Sequence, residues 1–196
     1  RKRNTQKMKT IISVIMFLLM TSLSYANDIY VTQSGANLDL DITQDGANNT
    51  VGNSTTASAS TGATTILNID QVGGSNVIKY QINGATYTGV ISLTGDSNDV
   101  DLNCDSGNSN SSCGTITANI TMTGSSSDID LDIGETADAA GSTVNITGAS
   151  GSDSNVIAAT VDGTSAVLTL TVNGDTNNYL IDIDGNGDSI GHTLIH

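Results

Sequence analysis

The sequence contains no proline, no tryptophan and a single phenylalanine, and it has only two cysteines and two histidines among 196 residues. Positive charge is also scarce, with 6 Lys and Arg against 20 Asp and Glu and a formal net charge of −14. So acidic a chain is unsuited to binding nucleic acid by neutralising phosphates, and so few aromatic residues argue against a core of large rings. The hydrophobic share of 37% nevertheless exceeds that of a simple disordered tail.

The N-terminal segment, residues 1–26, has the pattern of a secretory signal peptide. Five Lys and Arg fall within residues 1–9, a mostly apolar run follows over residues 11–20, and Ser24-Tyr25-Ala26 supplies small residues for cleavage. We therefore predict a signal peptide over residues 1–26, with Met8 as a plausible true start, and a protein that is secreted to the extracellular space or cell surface. The alternative is an uncleaved anchor, although membrane-spanning helices need about 20 apolar residues.

Removal of this segment changes the charge of the chain. Residues 27–196 would keep Lys79 as their only Lys or Arg against all 20 acids, for a formal net charge of −19. Apart from Glu135, every acid is Asp, which favours turns over helix interiors. No stretch after residue 27 combines helical apolar spacing with good helix formers, so the sequence predicts an all-β domain over residues 27–196.

Strict alternation of apolar and polar residues marks individual strands. The clearest cases are residues 38–42 (LDLDI), 129–133 (IDLDI), 168–172 (LTLTV) and 181–183 (IDI). Because successive side chains of a strand point to opposite faces, each run has one dry face and one wet face. We expect a narrow interior of Ile, Leu, Val, Ala and Thr, which would account for the missing large aromatic residues.

Glycines spaced eleven residues apart predict where these strands turn. The turn glycines are Gly35, Gly46, Gly73, Gly84, Gly95, Gly163, Gly174 and Gly185. A unit of about 11 residues fits one strand and a tight turn, so two units would form a coil of about 22 residues, and stacked coils would bury a common core. The predicted fold is a β-solenoid, which suits a chain without proline; a β-sandwich of short strands is the alternative.

Departures from the eleven-residue rhythm predict loops. The interval from Gly46 to Gly73 exceeds two units by five positions, and the excess falls within residues 49–65, a stretch rich in Ser, Thr, Ala and Gly. Residues 104–113 and 134–143 are also out of rhythm. We predict a loop in each of these three places.

A second motif accompanies the glycines. Residues 42–49 (ITQDGANN) and 69–76 (IDQVGGSN) each carry Gln-x-Gly with Asn five residues after the Gln, and they resemble curlin repeats. The matching amides are Gln33, Asn37, Gln44, Asn49, Gln71, Asn76 and Gln81. The resemblance extends over residues 29–49 and 69–84; beyond about residue 98 only the rhythm continues, because Thr, Asp or Val replaces Gln.

The curlin resemblance implies a secreted fibre subunit of a bacterial cell surface, which self-associates or joins other subunits in an amyloid-like matrix for adhesion and biofilm. The repeat amides would then lie inside the coils or at their corners. Amides stacked one strand spacing apart, about 4.8 Å, can hydrogen-bond along the axis as ladders. Because the Gln pattern fades, the C-terminal half could equally be a plain solenoid that does not polymerise.

The sequence offers little for catalysis. His192 and His196 lie in the last five residues, where chain ends fray, so a Ser-His-Asp arrangement on a rigid scaffold is not expected. We therefore predict a protein that is not an enzyme and has no cofactor. Cys104 and Cys113 are nine positions apart and, in an exported chain, most simply form one disulfide.

One segment has the spacing of a calcium loop. Asp182, Asp184 and Asn186 occupy ligand positions 1, 3 and 5, followed by Gly187 and Asp188, but position twelve is Thr193, where an EF-hand has Glu. A solvated Asp-rich turn is the other interpretation. Stacked outward Asp residues should also repel one another, so we expect diffuse binding of Ca²⁺ or Mg²⁺ to stabilise the fold.

Three functions stay open from the sequence. The first is a curlin-like structural protein that forms or joins extracellular fibres. The second is an acidic solenoid adhesin, or a phage-type fibre component, that binds a glycan or a cell surface without polymerising. The third is a carbohydrate-active enzyme with paired Asp residues, although nothing singles out one pair among the many.

Overall fold

The computed structural model describes residues 26–53, 55–104, 114–134, 141–148, 154–183 and 187–195. The described residues are all-β, with 78% of them in strands and no helix. In the described residues, no helix is long and apolar enough to span a membrane. Apart from Ala26, the predicted signal peptide lies outside these residues.

The described residues form fourteen strands, all paired in parallel. They are β1 (Ala26–Ile29), β2 (Thr32–Ser34), β3 (Asn37–Asp45), β4 (Asn48–Val51), β5 (Ser58–Val72), β6 (Ser75–Thr94), β7 (Ser97–Cys104), β8 (Thr115–Thr123), β9 (Ser126–Ile133), β10 (Thr143–Gly148), β11 (Ser154–Val161), β12 (Val167–Asn173), β13 (Thr176–Asp182) and β14 (Ser189–Ile195).

These strands wind as a β-solenoid, which confirms the predicted fold. We call one side of the solenoid the first side. Its layers, in order along the axis, are β1 with β2, then β4 with the start of β5, then the start of β6, then β7, β9, β11 and β13. The second side stacks β3, the rest of β5 and β6, β8, β10, β12 and β14. The long strands β5 and β6 run through one corner and join the two sides.

The coils are longer on average than the two predicted units, at about 26 residues per turn. Several coils do repeat after two eleven-residue units, as where Ser75 pairs with Ser97 and Asn155 with Asn177. Others are longer, and Ser97 pairs with Ser126, seven positions beyond two units. The eleven-residue half-coil is therefore the basic unit, and inserted residues lengthen particular coils without changing the stacking on either side.

The first predicted loop is shorter than expected. Val51 pairs with Ile78, five positions beyond two units, whereas Ser58 pairs with Tyr80 at an offset of two units. The five extra residues therefore enter within residues 52–57, and the remainder of the 49–65 stretch belongs to β4 and β5. Most of the other two predicted loops, residues 105–113 and 135–140, lies outside the described residues.

The interior contains two tyrosines, which contradicts the expectation of an aliphatic core. Tyr80 is 1% exposed and Tyr87 is fully buried, and burial raises the pKa of the Tyr87 hydroxyl. Gly89 makes room for the ring, since a Cβ at that position would lie 2.1 Å from the Tyr87 hydroxyl oxygen. Ile, Leu and Val from both sides form most of the rest of the core, together with Ala, Met122 and Cys104.

Stacked glycines at one corner recur once per coil, and Gly73 and Gly95 are two eleven-residue units apart. Gly46, Gly73 and Gly95 lie above one another, and a Cβ on Gly73 or Gly95 would lie 1.9 Å from the carbonyl oxygen of the glycine on the preceding coil. Their amides donate to Val72, Thr94 and Thr123 of the next coil, respectively. A side chain at these positions would separate the coils. Of the other predicted turn glycines, Gly185 lies outside the described residues.

We predict that Gly95→Ala lowers the free energy of unfolding by roughly 1–3 kcal/mol, because the methyl group must displace packed backbone. Urea denaturation followed by circular dichroism measures this change. Gly191→Ala is the matched control, since its Cβ would meet only Thr169 side-chain atoms at 3.8 Å. Equal stability losses in the two variants would contradict the corner-contact explanation.

Candidate assembly site: amide ladders, coil ends and the acidic side

Four asparagines form a ladder along the inside of the first side. The first three Nδ2 atoms each donate to the Oδ1 on the following coil: Asn27 to Asn49 at 3.2 Å, Asn49 to Asn76 at 3.0 Å and Asn76 to Asn98 at 2.9 Å. The last three side chains are at most 2% exposed. The same offset from a corner glycine, three positions, is found for Asn49, Asn76 and Asn98. Because the glycines stack, this offset places the three asparagines at equivalent points of successive coils. We call Asn27, Asn49, Asn76 and Asn98 the asparagine ladder.

The ladder also holds the corner together. Asn49 Nδ2 donates to the carbonyl of Val72 at 2.9 Å, and Asn76 Nδ2 donates to that of Thr94 at 3.1 Å. Each of these carbonyls belongs to the residue before a corner glycine. One buried amide therefore bonds both to the next amide and to the next turn, which satisfies polar groups that would otherwise be costly to bury.

Ser127 interrupts the ladder in the middle of the solenoid. It is the register partner of both Asn98 and Asn155, and beyond it Asn155 donates to Asn177 at 2.7 Å. The buried Ser127 hydroxyl and the Oδ1 of Asn155 both lack a hydrogen-bond partner. Asn98 Nδ2 has only two carbonyl contacts of 3.4 Å, to Gly95 and Thr123.

A glutamine ladder covers only two coils. Gln71 Nε2 donates to Gln44 Oε1 at 2.6 Å, and Gln44 Nε2 donates in turn to the Asn27 carbonyl. Both glutamines are at most 4% exposed. The next coil places Leu93 at this position, and Gln71 Oε1 has no donor.

The ladder prediction is wrong for the three other repeat amides. Gln81 pairs with Ala59 and Asn103 and points outward, because it follows Gln71 by ten positions and a one-residue slip reverses the face. Asn37 is exposed, and Leu38 takes the inward position three positions after Gly35. Gln33 stacks on Ser60, so no second amide lies beside it.

The outside of β7 and β9 is strongly acidic. Asp99 pairs with Asp128 and Asp101 with Asp130, so carboxylates stack directly on carboxylates. Partial burial and the nearby Asp101 and Asp128 raise the pKa of Asp130. The expected stabilisation by divalent cations stays a prediction; across the described ranges, no group of three or more His, Cys, Asp or Glu is arranged to hold a metal.

Lys79 lies beside this acidic surface as the only Lys or Arg after residue 9. Its Nζ is 3.4 Å from Asp99 Oδ1 and 3.5 Å from Asp101 Oδ2. Burial lowers the pKa of Lys79, but the two carboxylates outweigh that effect and leave it above its usual value. The contacts offset part of the repulsion among the acids.

The remaining sequence-predicted sites are only partly within the described residues. Cys104 is fully buried and disulfide-bonded, whereas Cys113 lies outside. Asp184 and Asn186 of the candidate calcium loop also lie outside. Asp188 accepts a hydrogen bond from the Ala166 amide at 2.7 Å, so it supports the neighbouring coil. His192 lies in β14 and pairs with Leu170, not in a frayed tail, and His196 is not described.

The two ends of the solenoid expose strand edges. Within the described residues, β1 pairs only with β4 and β3 only with β5 at the N-terminal end. At the other end, β13 pairs only with β11 and β14 only with β12. Leu180 in β13 is 74% exposed, and Tyr30, directly after β1, is 50% exposed. Sequence patterns did not identify Leu180 and Tyr30 as exposed end residues, because their exposure depends on how the coils stack.

Comparison of the chain with protein-family models, with curated proteins and with solved structures gave no match. The geometry of the solenoid is therefore the basis on which its function is inferred.

We predict that Ser127→Asn raises the free energy of unfolding by roughly 1–2 kcal/mol. The new amide would donate to Asn155 Oδ1 and accept from Asn98 Nδ2, which joins the two asparagine stacks. Chemical denaturation measures the gain, and Ser127→Val is the control because it removes the same hydroxyl without supplying an amide. A Ser127→Asn variant no more stable than Ser127→Val would contradict the interrupted-ladder interpretation.

We predict that Asp130→Asn raises Tm at pH 7, with a benefit that shrinks as the pH falls. Because the folded-state pKa of Asp130 is raised, the folded chain binds this proton more tightly than the unfolded chain, so the Asp130 contribution to stability falls as pH rises through the carboxyl range. Thermal melts between pH 4 and pH 7 measure the effect. Asp175→Asn, at an exposed corner, should show no such gain; a pH-independent benefit of Asp130→Asn would refute the explanation.

Proposed function

We propose that this chain is a secreted, curlin-like structural protein whose copies stack head to tail into amyloid-like extracellular fibres for surface adhesion and biofilm. Two kinds of feature support axial stacking: exposed strand edges at both ends, and side-chain ladders parallel to the axis. Unpaired edges of parallel strands are natural templates for another chain, and in-register amide stacking is typical of cross-β assemblies.

The match between the two ends is the observation that carries this proposal. Tyr30 follows Asn27 by three positions, and Leu180 follows Asn177 by three positions. If the next copy continued the same coil register, Asn177 would stack on Asn27 and Leu180 on Tyr30. The two most exposed large hydrophobic side chains of the described residues would thereby cover each other.

The direction of the ladder hydrogen bonds is compatible with the same arrangement. The four amide-to-amide bonds between asparagines on the first side all donate toward the C-terminal end, whereas the glutamine ladder donates toward the N-terminal end. Asn177 Nδ2, which bonds to the Gly174 carbonyl at 2.9 Å, would donate to Asn27 Oδ1 of the next copy. One end therefore supplies a donor and the other an acceptor, as a polar fibre requires.

We predict that Leu180→Asp raises the critical concentration for fibre formation about tenfold or more. Full burial of a Leu side chain contributes about 1.5–3 kcal/mol, and each 1.4 kcal/mol corresponds to about tenfold. Thioflavin fluorescence and electron microscopy of residues 27–196 measure assembly. Val156→Asp is the matched control, since Val156 is also exposed on the first side but lies one coil inside the end.

Wild-type chains that stay monomeric under all conditions would overturn the fibre proposal. If such monomers bound a glycan or a cell surface, the non-polymerising adhesin would be the better interpretation. Equal effects of Leu180→Asp and Val156→Asp would instead contradict the specific end-to-end contact.

A further inference from the structure

Four neighbouring strands on the second side carry no charged residue. They are residues 86–94 of β6 and the strands β8, β10 and β12. Their outward side chains form what we call the charge-free face. This part of the surface differs from much of the remainder of a chain with 20 acids, because β3, β5, β7, β9 and β13 carry outward Asp.

Threonine and asparagine dominate the charge-free face and are aligned by the register. Thr88, Thr117 and Thr143 stack in one column, and another column contains Ser92, Thr121, Thr147 and Thr171. Between them, Asn145 Nδ2 donates to Asn119 Oδ1 at 2.9 Å. Side-chain ladders of this kind favour flat sheets, and flat faces of small, uncharged side chains can interdigitate as a dry interface.

Charge restricts where two copies can meet side by side. On the first side, Asp99, Asp101, Asp128 and Asp130 line the outside of β7 and β9. Contact between two such surfaces would bring like charges together, which costs several kcal/mol. The charge-free face avoids this repulsion. We propose that it is a self-association surface on which a second copy of this chain packs laterally.

The size of the face suits a reversible contact. Strands of six to nine residues at a rise of about 3.3 Å, with the four strands about 4.8 Å apart, give roughly 500 Å² per copy and about 1,000 Å² in total. Specific interfaces start at about 1,000 Å², so one pair of copies forms a weak dimer. In a fibre the same contact repeats along the axis and gains from multivalency.

The distribution of acids also sets the orientation of the pair. Asp39, Asp41 and Asp45 point outward from β3, at the N-terminal end of the same side. Parallel packing would bring the two sets of Asp face to face. Antiparallel packing around a two-fold axis places each set beyond the opposite end of the contact, so the lateral pair is antiparallel and isologous.

The lateral contact is independent of head-to-tail stacking and is tested with that stacking disrupted. In a Leu180→Asp background, sedimentation velocity over a concentration series should detect a monomer–dimer equilibrium, which added salt strengthens by screening the net charge. Thr121→Asp, at an exposed position of β8, should raise the dimer Kd about tenfold or more, since symmetry places the added charge in the contact twice. Thr88→Asp serves as the second variant.

Thr61→Asp is the control, because Thr61 is exposed at a corner outside the charge-free face. A chain that remains monomeric throughout the series, or equal weakening by Thr61→Asp and Thr121→Asp, would overturn the proposal. A monomer that instead adsorbs to ice or to an insoluble polysaccharide through Thr121 would also overturn it.

Spin labels at Asp41→Cys test the orientation by pulsed electron paramagnetic resonance. Antiparallel packing separates the two labels by more than about 30 Å, given seven strand spacings of about 4.8 Å. Parallel packing would bring them to about the 10 Å sheet spacing. The longer distance is expected, and the shorter one would overturn the antiparallel arrangement.

Discussion

In-register parallel stacking of each coil on the next is the constraint on which the rest of the structure depends. It requires equivalent residues to occupy equivalent positions at one strand spacing, about 4.8 Å. At the corner where the chain reverses, Gly73 leaves no room for a Cβ, which would lie 1.9 Å from the Gly46 carbonyl oxygen. The same repeat aligns Asn49 and Asn76 so that their side chains hydrogen-bond at 3.0 Å. The requirement for glycine at the turn and the alignment of the nearby amides therefore have the same geometric cause.

Stacking of like on like also concentrates the charge of the chain. A column of buried amides is favourable because each amide has both a donor and an acceptor. A column of carboxylates, such as Asp101 and Asp130, has acceptors only and repels itself. Lys79 lies where it contacts two of these acids. From β6 to β12 the second side has no such repulsion between carboxylates, because Thr and Asn occupy outward positions there.

A solenoid of this kind ends without closing, so the same constraint extends beyond a single chain. The strands β1 and β13 each lack a neighbour on one side within the described chain, and the ladder amides are directed along the axis. Axial stacking would continue the contacts already made between coils. Lateral packing, by contrast, depends on the absence of charge. The two proposed modes of association thus depend on different residues.

The sequence by itself determined the strands, the corner glycines and the solenoid, because alternation and the eleven-residue rhythm are local properties of the chain. It also identified Asn49 and Asn76 as stacked amides. It did not identify Gln81 as outward, since one missing residue reverses a side chain, nor the buried Tyr87, whose ring fits because Gly89 lies beside it. The length of each coil depends on where insertions enter, which the rhythm alone does not fix. Only the tertiary structure therefore decided which residues share a column, as in the break at Ser127, the paired acids and the charge-free face. It also decided that Leu180 and Tyr30 are exposed at the two ends.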